Sequence, residues 1–245
     1  MPPTFLNVFE DTKVVMRVVD NIFIHLDKTE FVKEQKLNRI DDNIILQLID
    51  ESSKLIEPKA VYTFVKVLSI DGDEVTFDGG FKLKSKILAD RLQKGQLVAP
   101  YVITIGSKLE KLASEKAKKS LIESFVCERI ADFFLSKARQ YLKSLVEKEF
   151  GCKVSSFGPG IGAGELFSLD QQKVLFQILE PQKNIGVTLS PSCLMVPRKS
   201  VSGIFFATNQ EYVACQNCPR KCESRKKAYS GVYKSVECED GHTIT

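Results

Sequence analysis

Two stretches decide how this chain is read. The first is Gly158-Pro159-Gly160-Ile161-Gly162-Ala163-Gly164; the second is Thr188-Leu189-Ser190-Pro191-Ser192-Cys193-Leu194-Met195-Val196-Pro197-Arg198-Lys199-Ser200-Val201-Ser202-Gly203. In the first, glycines on both sides of Pro159 let the backbone turn sharply and approach a ligand with no Cβ in the way. The second reads as a strand pair broken by Pro191 and Pro197, with a basic, hydroxyl-rich connection at Arg198, Lys199 and Ser200. Residues 152–157 form a strand that feeds the glycine loop. Ser168 with Gln171 then caps a helix over 169–179, and strands at 185–189, 193–196 and 201–207 complete the body.

The order strand, glycines, helix mimics a dinucleotide-binding fingerprint. The helix follows at too long a distance, however, and no acidic residue ends a following parallel strand. A dinucleotide site is therefore not expected.

Upstream of the loop lies the longest periodic segment. Ser120 with Glu123 makes a capping box, and Ile122, Phe125, Val126, Ile130, Phe133, Phe134, Ala138, Tyr141, Leu142 and Leu145 keep helical spacing up to Gly151. So wide a stripe predicts a sheet-packing helix. A second box, Ser107 with Glu110, predicts a shorter helix just before it. The strand 97–105 has almost no charge and is expected at the centre of a sheet. Asp71-Gly72-Asp73 predicts a hairpin between strands 61–70 and 74–77. A short helix spans 85–93 and stops at Gly95. A helix over 38–56 carries Ile40, Ile44, Leu48 and Leu55 and is stopped by Pro58, and 14–25 is β-rich. Hairpins outnumber simple strand–helix alternations. The expected class is α+β, a twisted, mostly antiparallel sheet with helices packed on it.

Composition bounds the function. At 245 residues and 43% apolar, the chain can bury one substantial core. A net charge of +4, mixed along the sequence, does not call for a nucleic acid partner. No apolar run approaches the ~20 residues of a membrane span. The start, Met1-Pro2-Pro3-Thr4-Phe5, does not read as a signal peptide. A cytoplasmic protein is expected, and its seven cysteines then read as thiols or metal ligands.

In order and spacing these motifs resemble the activation domain of vitamin-B12-dependent methionine synthase, in its stand-alone form. Tyr101-Val102-Ile103-Thr104-Ile105-Gly106, and Ala131-Asp132 within the long helix, match that domain's central strand and helix. The resemblance covers about residues 14–208 and is strongest from Leu97 onward. It implies a domain that presents S-adenosylmethionine to cobalamin for reductive remethylation. In the family the strand before the loop carries Arg-x-x-x-Gly-Tyr, whose arginine pairs with the carboxylate of S-adenosylmethionine. Here those positions hold Ser156, Gly160 and Ile161, beside Pro159, and Tyr212 lies where the family places a ligand-contacting tyrosine. The family's acidic residue after the strand threonine is replaced by Pro191. A serine cannot supply a charged bidentate fork, so weakened S-adenosylmethionine binding is expected.

The tail is a second feature. In Cys215-Gln216-Asn217-Cys218-Pro219-Arg220-Lys221-Cys222, three cysteines fall in eight residues, with Cys238 as a fourth ligand and His242 in second place. Such a set suits zinc or an iron–sulfur cluster, and the spacing does not separate the two. The division expected is residues 1–208 as the activation-like domain and 209–245 as the cysteine-rich, metal- or cluster-binding tail. Cys127 and Cys193 are expected to be buried core thiols. No Ser-His-Asp or paired-carboxylate arrangement stands out.

The expected function is that of an accessory or reactivation component of a corrinoid-dependent methyltransferase system, of the methionine synthase type, rather than a complete enzyme. Its partners would be a cobalamin-binding protein and an electron donor. The rival reading is a non-catalytic interaction protein whose zinc-stapled basic tail docks a corrinoid protein or RNA.

Overall fold

The computed structural model describes residues 15–20 and 22–208. In chain order its elements are β1 (Arg17–Val19), α1 (Lys28–Gln35), α2 (Asp42–Ser53), β2 (Lys59–Tyr62), β3 (Val65–Asp71), β4 (Glu74–Phe77), β5 (Lys82–Lys84) and α3 (Lys86–Ala89). There follow β6 (Leu97–Thr104), α4 (Lys108–Ala117), α5 (Leu121–Phe150), β7 (Val154–Phe157), α6 (Gln172–Leu179), α7 (Pro181–Ile185), β8 (Thr188–Leu189), β9 (Met195–Val196) and β10 (Ser200–Ala207).

The uncharged strand is the hub, as its sequence predicts. One edge of β6 takes β10 in antiparallel register from Thr104 opposite Ser200 to Val98 opposite Phe206. Its other edge is shared by β2 and β3. The eight-stranded sheet then continues to β1 beyond β2, to β4 and β5 beyond β3, and to β7 beyond β10. Both faces of β6 are covered. Val98 and Val102 join the core beneath α3 and α6, while Ala99, Tyr101 and Ile103 face α5. Burial on two faces leaves no position for charge, which is why the strand reads as one apolar run.

The expected strand 61–70 is two strands, broken at Thr63-Phe64. Pro100 accounts for the break. Its carbonyl accepts from the Thr63 N–H at 3.3 Å, so its imide nitrogen faces the gap between β2 and β3. A proline in a central strand costs a ladder bond unless it sits opposite such an interruption.

Helix α5 runs the full expected length. The Ser120 hydroxyl accepts from the Glu123 N–H at 3.2 Å, and Gly151 ends the helix at φ 70°. Only its C-terminal half packs on the sheet, through Ala138, Leu142 and Val146. The N-terminal half packs on α1, α2 and α4 through Val126, Ile130, Phe133 and Phe134. Its first turn leaves Ile122 and Phe125 about half exposed, at 56% and 49%.

Other expectations need correction. Ser107 makes no capping bond, its backbone being already helical at φ -103° and ψ -10° rather than extended, and the carboxylate of Glu110, the other half of the box, accepts from the Lys199 N–H at 2.7 Å. Ser168 does not cap its helix through a backbone bond either; Gln171 Oε1 accepts from the Lys84 N–H and ties this turn to β5. Residues 185–189 are not one strand, since Pro181 starts a short helix that Gly186 closes at φ 73°. Of the β-rich segment 14–25, Arg17–Val19 is the strand among the described residues. Cys193 is buried as expected, but in a turn at φ 61° rather than in a strand. Among the described residues no helix is long and apolar enough to cross a membrane.

Candidate functional site

The end of β7 is where the sheet, the long helix and the glycine loop meet. Gly203 of β10 lies between Tyr101 of β6 and the loop entrance. A Cβ on Gly203 would sit 2.6 Å from the Phe157 carbonyl oxygen and 2.9 Å from the Tyr101 hydroxyl. Without that Cβ, the Tyr101 ring crosses over β10, stacks on Phe205 at 4.2 Å, and brings its hydroxyl within 3.3 Å of Ser156 Oγ. Gly158 is under the same pressure from the other side, its Cβ position being 2.5 Å from the Ser202 carbonyl oxygen. Two glycines thus allow a close approach that no side chain would permit.

Onto this pair of hydroxyls comes Arg139 from α5. Its Nε donates to the Tyr101 hydroxyl at 3.2 Å, and its Nη2 donates to Ser156 Oγ. The guanidinium is exposed, whereas Tyr101 is 1% exposed and fixed by its stacking partner. Nothing about Arg139 in the sequence marked it, because it lies on the polar side of a helix among many charged residues. The signal that could have found it is three-dimensional: Ser156, a residue singled out from the sequence, receives an arginine from another element.

The loop itself is held by the Gly160 N–H, which donates to the Phe167 carbonyl at 2.7 Å with Gly160 at φ 93°. Pro159 is half-buried and Gly160 exposed. Ile161 opens a 3-10 turn, Ile161–Gly164, and packs against the core beneath α3 and α6. Of the predicted site residues, Ser156, Pro159, Gly160 and Ile161 are thus contiguous at one corner. Tyr212, Cys215, Cys218, Cys222 and Cys238 lie outside the described residues. Among the described residues no group of three or more His, Cys, Asp or Glu side chains could hold a metal ion.

The basic connection before β10 has a different task. Lys199 Nζ lies 2.7 Å from Glu128 and 2.6 Å from Asp132, and Arg198 lies 3.1 Å from Glu128. Burial pushes the Glu128 carboxyl up, but the Lys199 hydrogen bond and the charges of Lys199 and Arg198 outweigh it and hold the group below its ordinary value. Both cations are committed to carboxylates of α5, so they brace the connection rather than wait for a ligand.

Comparison with known proteins places the chain in a family and supports its fold. The sequence model of the family "Vitamin B12 dependent methionine synthase, activation domain" matches residues 78–222, more than half of the chain. The chain belongs to that family. The match takes in the β7 corner and runs past Thr208 to Cys222. Among solved structures, the MetH reactivation domain bound to AdoHcy matches with a TM-score of 0.60 at 14% identity, over 82% of this chain and 81% of that one. At that identity the likeness establishes the α+β fold. No curated protein sequence matches the chain significantly.

Proposed function

We propose that this chain is an accessory component of a corrinoid-dependent methyl-transfer system of the methionine synthase type. It holds S-adenosylmethionine for the reductive remethylation of cobalamin carried on a separate protein. The observation that carries this reading is the β7 corner: a strand end, a sharply turning glycine loop and an exposed guanidinium meet inside the span matched by the family. The AdoHcy held by the structurally similar reactivation domain supports the ligand class, since it is what S-adenosylmethionine becomes on losing its methyl group.

The chemistry belongs to the ligand and the corrinoid. In that reaction a separate one-electron donor would reduce the partner's cobalamin, which would take the methyl carbon of S-adenosylmethionine and release AdoHcy. That transfer needs no proton moved by the protein. What the chain supplies is a fixed place for the donor and a surface for the partner. The tail cysteines, Cys215, Cys218, Cys222 and Cys238, would hold zinc or an iron–sulfur cluster, and a cluster suits delivery of the electron.

Calorimetric titration of the full chain with S-adenosylmethionine tests the reading. Saturable one-site binding is expected. No binding, with the protein folded, rejects it in favour of the interaction-protein reading.

A further inference from the structure

Resting on the reading that the chain holds an S-adenosyl ligand, we propose that Arg139 is the residue that grips that ligand's carboxylate. One charge at this corner is unbalanced among the described residues. Arg17, Arg129 and Arg198 each have a carboxylate within 3.2 Å. Arg139 has none among the described residues; its partners there are two neutral hydroxyls, Tyr101 and Ser156. A guanidinium has five N–H donors, and among the described residues only Nε and Nη2 donate. The remaining donors sit on an exposed group whose orientation is nevertheless fixed, because Tyr101 is buried and stacked on Phe205.

Such a group is an anion receptor held ready in one orientation, and little ordering is left for a ligand to impose. The charge it can balance is a single one. Lys143, one turn further along α5, faces Glu147 at 3.7 Å and so is not a second free cation beside Arg139. One planar fork with one net charge matches a monoanionic carboxylate better than a phosphate. Position agrees: Ser156 is two residues from Gly158, where the backbone opens into the glycine loop. Arg139 would anchor the amino-acid end of the ligand at the strand edge and leave the sulfonium end directed along the loop.

The test compares S-adenosylmethionine with decarboxylated S-adenosylmethionine by calorimetry on the full chain. The wild-type protein should prefer the carboxylate-bearing ligand by roughly ten- to a hundredfold. Arg139→Gln should lose that preference by weakening S-adenosylmethionine alone, with the decarboxylated ligand bound as before. Arg139→Lys keeps the charge without the fork and should retain part of the preference, which covers the case of a poorly folded glutamine variant. A preference undiminished in either variant overturns the assignment of Arg139 while leaving the proposed function standing. Failure of the wild-type chain to bind either ligand overturns both.

Discussion

Lys199 reaches from the connection before β10 to Asp132 on α5, its ammonium 2.6 Å from the carboxylate, and in the same reach contacts Glu128 at 2.7 Å. With Arg198 it clamps the start of the central strand pair onto the long helix. The Lys199 side chain is 14% exposed, so the clamp lies between a surface pair and a buried one. Lys199→Met removes the one cation that bridges Glu128 and Asp132, leaving Glu128 with Arg198 and Asp132 with Arg129. The expected loss is about 1–3 kcal/mol, above exposed pairs and below fully buried ones, read from the urea midpoint.

The same clamp makes stability depend on acid. The folded-state Glu128 carboxyl titrates below its ordinary value of 4.5. A depressed carboxylate contributes stability that is complete above the ordinary value and is lost as pH falls through the lower folded value. Glu128→Gln should therefore be less stable than wild type at neutral pH, and the gap should narrow as pH drops well below 4.5. Denaturation midpoints measured across that range check it; a gap that widens toward acid contradicts it.

Gly203→Ala probes the close approach at the site. The new Cβ meets the Phe157 carbonyl oxygen at 2.6 Å, and backbone cannot give way as a flexible side-chain end can. A loss of about 1–3 kcal/mol is expected, with the near-ultraviolet signal of Tyr101 altered as its ring is pushed off β10.

Much of the fold was legible because its signals are local. The capping box at Ser120, the stop at Gly151 and the uncharged run of β6 each predict an element that is present. Helix α1 was missed because only Phe31 of its residues is buried, which leaves no stripe to read. Its one local sign was Asp27, whose side chain accepts from the Glu30 N–H at 2.8 Å. The Ser107 box failed for the opposite reason: Ser107 is itself helical in backbone, and a long-range partner, Lys199, holds the carboxylate that a local reading gives to the cap. At the site, Ser156 and the glycines could be found by spacing, whereas Arg139 could not. Its meaning comes from a residue on another element.

The tail carries a prediction of its own, resting on thiolate spacing. Cys218→Ser should lose most of the metal proposed for the tail, while the domain built on β6 and α5 keeps its cooperative unfolding, because among the described residues its core clusters are built from apolar side chains of the sheet and helices. Metal analysis beside a denaturation curve decides it. Full metal content in the variant removes Cys218 from the ligand set.

If the chain serves methyl transfer from S-adenosylmethionine to a corrinoid, the methyl group itself can be followed. Under anaerobic conditions, a cobalamin-carrying methionine synthase domain in the cob(II) state is mixed with a one-electron reductant and methyl-labelled S-adenosylmethionine, with and without this protein. Label should appear on cobalamin only when the chain is present, and AdoHcy should form in equal amount. Equal labelling with and without the chain, or none in either case while S-adenosylmethionine stays bound to it, contradicts the account.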